Sequence, residues 1–285
     1  MSAPDEGGGP SVEELAYAKL NLVLHVGRPR KDGLHPLCSL FASLDLADEL
    51  HARPGDTPAD VVECEGVHGP NLAGAALAAF RKRVPDLPPL DVRIAKRIPV
   101  AAGLGGGSAD AAAALRAANR IAGDPLAPAV LREIAATLGW DVPSQVEPRH
   151  ALVTGVGEVV DPVELPPLAV VLVPQAEGLA TGDVYAQLDR MGGWRERLDP
   201  EPVRAVAGAD PSTWANTLVN DLQPAALALR PELAAVIGAL RAAGALAALV
   251  SGSGPTCFGL FADRVAADSA ATAIPGALVA RLREP

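Results

Sequence analysis

The chain has 285 residues, 49% hydrophobic and 20% charged, a balance that builds a folded core and excludes a disordered polymer. Its 24 basic residues against 34 acidic ones leave a net charge of −10, which excludes the broad basic face of a nucleic-acid coat protein. Three widely spaced cysteines with no Cys-x-x-Cys argue against a disulfide framework or zinc site and for a reducing, cytoplasmic setting.

The acidic, glycine-rich start MSAPDEGGGPSVEE has no apolar signal-peptide segment, so 1–14 reads as a flexible tail. LAYAKLNLVLHV (15–26) alternates as a strand, with Leu20, Leu22, Leu24 and Val26 on one face and Lys19 and Asn21 on the other. RPRKDG makes a turn, and HPLCSLFASLDLADELHA reads as further strand leading into a second turn. NLAGAALAAFRKR (71–83) has helical spacing, while LDVRIAKRIPV (90–100) is a strand feeding directly into GLGGGSAD. Helices follow over 107–121, stopped by Gly123-Asp-Pro, and over 127–139. HALVTG and GEVVDPV form a hairpin, the proline-rich DPVELPPL (161–168) marks a domain join, and LAVVLVPQ (168–175) is a buried strand. The stretch 191–213 is loop-rich. A helix over 231–243 and the strands ALAALVSG and CFGLFA close the second half. No apolar run is long enough to span a bilayer, and the mixture of helices with antiparallel hairpins indicates an α+β fold in two lobes.

Three segments can carry chemistry. In PVAAGLGGGSAD the glycines let backbone N–H groups approach an anion at a helix N-terminus. The loop lacks the Gly-Lys-Ser/Thr of a Walker A motif and the G-x-G-x-x-G spacing of a dinucleotide fold. A flexible turn capped by Ser108 would look the same locally. Lys19 stands in an apolar strand, where its ammonium must be solvated at an edge or paired. Asp141 follows a helix stop and precedes Val-Pro143, which puts it on a stiffened turn, a place where aspartates commonly serve local hydrogen bonds. SGSGPT (251–256) is a glycine-serine loop after an apolar strand, but it is no G-x-S-x-G elbow, and no histidine follows residue 150. The five histidines have no metal-ligand spacing.

In order and spacing, AYAKLNL, PVAAGLGGGSAD and SGSGPT resemble the three motifs of the GHMP family of small-molecule kinases, over residues 15–263. KLNL at 19–22, KDGLHPL at 31–37, GLGGGSAD and GWDVP resemble most the members that phosphorylate a cytidine-diphosphate-linked methylerythritol for non-mevalonate isoprenoid precursors. The resemblance implies an N-terminal ATP-binding and catalytic lobe (15–163) like ribosomal protein S5 domain 2. A ferredoxin-like, substrate-binding C-terminal lobe (164–285) would follow. It implies transfer of the ATP γ-phosphoryl group to the substrate's 2-hydroxyl, with magnesium. Lys19 and Asp141 match the catalytic pair. Pro99, Val100, Ala101, Ala102, Gly103, Leu104, Gly105, Gly106, Gly107, Ser108 and Ala109 match the ATP loop, with Ser108 also a candidate magnesium ligand. Asn21, His35, Thr181, Tyr185, Ser253 and Gly254 match substrate-binding positions. Asp110 repels phosphate, so it is expected to face outward or toward magnesium.

The implied partner is a small molecule bearing cytidine diphosphate, with neither nucleic acid nor membrane, on a monomer or homodimer. Three departures from the family pattern stand out: Tyr17 replaces a proline, Leu34 the tyrosine of D-G-Y-H, and SQVEPRH (144–150) an apolar stretch. The alternatives are a homoserine- or mevalonate-type GHMP kinase, or a non-catalytic nucleotide or sugar sensor on the same fold.

Overall fold

The computed structural model describes residues 11–64, 66, 67, 69 and 71–284; the first ten positions of the expected tail lie outside the described residues. In chain order come β1 (Val12–Val26), β2 (Leu37–Pro54), β3 (Val61–Cys64), α1 (Leu72–Arg81), β4 (Leu90–Ala95), α2 (Gly106–Ile121), α3 (Pro128–Ala136) and α4 (Val142–Val146). There follow β5 (Ala151–Gly155), β6 (Val159–Pro162), β7 (Ala169–Val173), α5 (Thr181–Met191), α6 (Pro200–Ala207) and a 3₁₀ turn over Pro211–Asn216. The last elements are α7 (Gln223–Leu229), α8 (Leu233–Ala242), β8 (Ala247–Val250), β9 (Cys257–Phe261), α9 (Arg264–Ala273) and β10 (Leu278–Arg281).

The chain forms two compact units that interleave in sequence. The first holds the described residues up to Tyr17 with Ala47–Ile98 and Gly106–Glu147; the second holds Ala18–Leu46, Pro99–Gly105 and the described residues from Pro148 onward.

In the first unit the second half of β2 pairs antiparallel with β4, from Glu49 opposite Ala95 to Pro54 opposite Leu90, and β3 pairs parallel with β4. Leu50, Leu77, Phe80 and Leu90 form a hydrophobic core with α2. That helix buries Ala109, Ala111, Ala112, Ala113, Ala114, Ala117 and Ala118. Alanine is the strongest helix former, and with these alanines buried α2 packs most of its surface into the core. Its small side chains let neighbouring elements approach closely.

In the second unit the first half of β2 pairs antiparallel with β5, and β5 with β6, which is the hairpin expected from HALVTG and GEVVDPV. A separate sheet has the order β10-β7-β9-β8, with every neighbouring pair antiparallel. Its β-α-β-β-α-β connectivity is the ferredoxin-like arrangement. Val171, Leu188, Leu240, Val250 and Phe261 fill the core beneath it.

The stretch read as loop-rich contains α6 and the start of the 3₁₀ turn. Both open on an Asp-Pro pair: Asp199 accepts from the Glu201 N–H and Asp210 from the Ser212 N–H. An Asp cap followed by proline at the first helical position is a start signal in its own right, and each cap contributes about 1 kcal/mol. Val203 and Val206 are the buried positions of α6, too few to stand out as a periodic pattern. No helix of the described residues is long and apolar enough to cross a membrane.

Candidate active site

β1 delivers Lys19 and Asn21 to one face, as the alternation predicts, while Leu20, Leu22 and Val26 are fully buried on the other. Lys19 is not an edge lysine reaching water: it is 5% exposed, and Asn21 3%. A buried ammonium needs partners to offset several kcal/mol of lost hydration. Its Nζ donates to Asn21 Oδ1 at 2.7 Å and lies 4.8 Å from the centre of the Phe41 ring, a favourable cation–π geometry. Asn21 Nδ2 in turn donates to Ser39 Oγ (2.9 Å), and Ser39 Oγ donates to the Val23 carbonyl (2.6 Å). This relay fixes which end of the Asn21 amide faces the lysine. Neither Ser39 nor Phe41 is marked by any local sequence pattern; only the pairing of strands brings them beneath Lys19.

The glycine loop is built against the same residues. The Lys19 N–H donates to the Leu104 carbonyl at 2.9 Å. A Cβ on Gly105 would sit 2.9 Å from Lys19 Cγ, and Gly105 has φ +72°, so both space and backbone require glycine there. Gly103 is as constrained, with φ +75° and the Ser251 and Gly254 carbonyls 2.7 Å from where its Cβ would be. Ala101, with φ +54°, takes the left-handed region without glycine's freedom, at a cost of about 1 kcal/mol. Pro99 and Val100 lead into these residues, and Val100 is 59% exposed.

The SGSGPT loop clasps the glycine loop. Ser251 Oγ donates to the Gly103 carbonyl (3.1 Å), and the Thr256 N–H to that of Ala102 (3.3 Å). Asn220, which the sequence did not single out, holds the loop from behind, with Nδ2 donating to the Val250 and Gly252 carbonyls at 2.8 and 2.7 Å. Its signal is visible only in three dimensions, as a buried amide with its hydrogen bonds satisfied.

The substrate positions fall into two pairs within this unit. Thr181 Oγ1 and Ser253 Oγ are 2.9 Å apart, beside Gly254. His35 and Tyr185 have ring centres 5.2 Å apart at 44°. The His35 Nδ1–H donates to the Gly27 carbonyl (2.8 Å), and Nε2 lies 3.4 Å from Asp189 Oδ1. Tyr185 and Asp189 are one turn apart on α5, so a single helix face presents both to the imidazole.

In the first unit Gly106, Gly107, Ser108 and Ala109 form the first turn of α2. Asp141 lies on the turn that leads into α4, as its N-cap residue, with Pro143 in the first helical turn. Its side chain makes no capping bond; its carbonyl accepts from Ser144 Oγ at 2.8 Å. Asp110 does not face outward: it is 5% exposed, and Oδ2 accepts from Lys96 Nζ at 2.7 Å. Lys96 also donates to Asp48 Oδ2 at 2.5 Å. Burial pushes the Asp110 carboxyl up from its ordinary value, opposed by Lys96 and reinforced by Asp48. For Lys96 burial acts downward, and the two carboxylates outweigh it and hold the ammonium above its ordinary value. Two aspartates around one lysine, far apart in sequence, are a product of the fold and escaped the sequence reading.

Cys38, Cys64 and Cys257 are free thiols. Burial pushes Cys38 up to about 11 and Cys257 to about 12, so neither supplies a thiolate nucleophile.

Residues 71–146 match the GHMP kinases N terminal domain and 204–280 the GHMP kinases C terminal domain. The 4-diphosphocytidyl-2-C-methyl-D-erythritol kinase of Anaeromyxobacter dehalogenans is 44% identical over 273 residues, 92% of this chain and 84% of that protein. A crystal structure of 4-(cytidine 5'-diphospho)-2C-methyl-D-erythritol kinase matches with a TM-score of 0.81 at 35% identity, covering 96% of this chain and 100% of the other. The homoserine kinase of Cytophaga hutchinsonii has a TM-score of 0.74 at 18% identity, covering 99% of this chain and 96% of its own, and shares the fold alone. With both domain models matched and a relative 44% identical along most of its length, the chain belongs to the GHMP kinase family.

Proposed function

We propose that this kinase transfers the γ-phosphoryl group of ATP to the 2-hydroxyl of 4-diphosphocytidyl-2-C-methyl-D-erythritol, in the cytoplasm, on the non-mevalonate route to isoprenoid precursors. One observation carries the reading: the buried Lys19–Asn21 pair, locked against the glycine loop at Leu104 and Gly105, in a chain 44% identical to a kinase named for that substrate. The proposed lobes are 15–163, for ATP and catalysis, and 164–285, for the substrate.

Phosphoryl transfer goes through a loose transition state and depends mainly on position and charge. Backbone N–H groups over 99–109 and the start of α2 hold the phosphates, with no loop lysine required. The Lys19 ammonium steadies the attacking hydroxyl oxygen, and Asp141 accepts its proton late in the reaction. Asn21 orients Lys19. His35, Thr181, Tyr185, Ser253 and Gly254 grip the cytidine diphosphate end, with Tyr185 offering its ring to the base.

Among the described residues no group of three or more His, Cys, Asp or Glu could hold a metal ion. That fits a magnesium that arrives on the nucleotide and takes only one or two protein oxygens, and the Ser108 hydroxyl, half-buried in the first turn of α2, is the oxygen for it. Magnesium, when bound, neutralises charge on the phosphate oxygens.

The test is ADP release with ATP, magnesium and one of three alcohols: the cytidyl substrate, mevalonate or homoserine. Turnover with the cytidyl substrate alone is expected. Turnover only with an alcohol lacking cytidine would refute the reading, and none with any of the three would favour a sensor. Asp141→Asn is expected to bind ATP nearly as the parent does and to lose several orders of magnitude in turnover; near-normal turnover would remove Asp141 as proton acceptor.

A further inference from the structure

We propose that Asp48 is a positioning residue for the nucleotide loop, clamping the chain where it enters the loop to the helix where it leaves. The inference rests on the reading that 99–109 holds the ATP phosphates. Asp48 lies in the second half of β2, and its side chain is wholly buried. Its Oδ1 accepts from the Arg97 and Ile98 N–H groups at 2.6 and 2.8 Å, the last two residues before Pro99. Its Oδ2 accepts from Lys96 Nζ at 2.5 Å, and the same ammonium reaches Asp110 Oδ2 in the first turns of α2 at 2.7 Å. One carboxylate therefore fixes the entering stem by its backbone and, through Lys96, ties it to the leaving stem.

Two further details fit a clamp better than a generic buried ion pair. A Cβ on Gly106, the first residue of α2, would come 3.3 Å from Lys96 Nζ and 3.2 Å from Ile98 Cγ2, so glycine there leaves room for the tie. The second Asp110 oxygen, Oδ1, is buried with no hydrogen-bond partner among the described residues; the side chain is held in place for its bond to Lys96. Buried ion pairs add little stability relative to apolar packing, and fixing local geometry is one attested use of them. Backbone amides that must converge on a transferring phosphate are sensitive to shifts of an ångström or less.

The experiment compares Asp48→Ala, which removes all these acceptors, with Asp48→Asn, which keeps an oxygen for the two backbone N–H groups. ADP affinity is measured by calorimetry, KM for each substrate by turnover, and amide exchange across 99–109 by mass spectrometry. Asp48→Ala is expected to weaken ADP and raise KM for ATP by about tenfold, to leave KM for the alcohol nearly unchanged, and to speed exchange across the loop. Asp48→Asn should recover much of this. Unchanged ADP affinity in folded Asp48→Ala, or both KM values rising together, would overturn the proposal. Should Asp48→Ala not fold, Asp110→Ala cuts only the tie to the helix and should show the same split, more weakly; equal effects on both substrates would again overturn it. A parent protein that binds no ADP would refute the phosphate reading of the loop; the clamp would then stand on faster exchange across 99–109 in Asp48→Ala than in the parent and fall on unchanged exchange.

Discussion

Gly105→Ala puts the contact between loop and lysine to a quantitative test. Gly105 has φ +72°, so an alanine there meets the left-handed cost of about 1–2 kcal/mol. Its Cβ would also lie 2.9 Å from Lys19 Cγ and 3.1 Å from Cε, where ordinary contact begins near 3.4 Å. Relieving that overlap means moving the lysine stem or the loop by about half an ångström, an overpacking cost of about 1–3 kcal/mol. Gly123→Ala is the control. Gly123 has φ +82° with nothing within 4 Å of its Cβ position, so it carries the backbone cost alone. Urea denaturation should therefore place Gly105→Ala about 1–3 kcal/mol below Gly123→Ala. A half-ångström displacement of Lys19 should lower kcat by about tenfold, given that a full ångström costs about a hundredfold; Gly123→Ala should keep the parental kcat. Equal stability of the two variants with undiminished turnover in Gly105→Ala would refute the argument that the loop's glycines are set by Lys19.

Asn21→Ala deprives a buried ammonium of its 2.7 Å acceptor and is expected to cost about 1.5–3 kcal/mol of stability, measured by denaturation, together with a fall in kcat larger than any change in KM for ATP. His150 gives a pH prediction. It is 4% exposed; Nδ1 accepts from the Ser43 N–H and Nε2–H donates to the Arg283 carbonyl, which uses the neutral ring. Burial lowers its pKa below the ordinary 6.5, so the unfolded chain takes up a proton that the folded one refuses. Its contribution to stability is thus complete above about pH 6.5 and is lost as the pH falls toward the folded-state pKa. His150→Gln should flatten part of the acid slope of the denaturation midpoint, while His25, also lowered by burial, keeps the remainder; an unchanged slope would refute the assignment.

What was legible in the sequence was what local periodicity encodes. The two-residue alternation of β1 placed Lys19 and Asn21 together and opposite the leucines, and the structure holds them 2.7 Å apart. The Ala-rich run after the glycines became α2 with its start shifted by one residue. Hydrogen bonds between distant segments were not legible. Asp48, Lys96 and Asp110 meet only because β2 pairs with β4 and α2 returns to the exit of β4, so a reading of Asp110 by its charge alone could not find its bond to Lys96. Short helices were missed for a different reason. The five residues of α4 and the eight of α6 span too few turns for a 3.6-residue pattern to rise above the prolines around them.

The alanines of α2 leave that helix with an unusually narrow set of acceptable sequences. Seven of its alanines are at most 1% exposed. A larger residue at any of them must displace close-packed neighbours at about 1–3 kcal/mol, and glycine, the only smaller choice, loosens the helix by about 1 kcal/mol. Substitution is therefore penalised in both directions along the segment that carries Ser108 and Asp110. Adaptation of this enzyme to new temperatures or substrates would have to be written elsewhere in the chain, leaving α2 as a fixed reference around which the rest can vary.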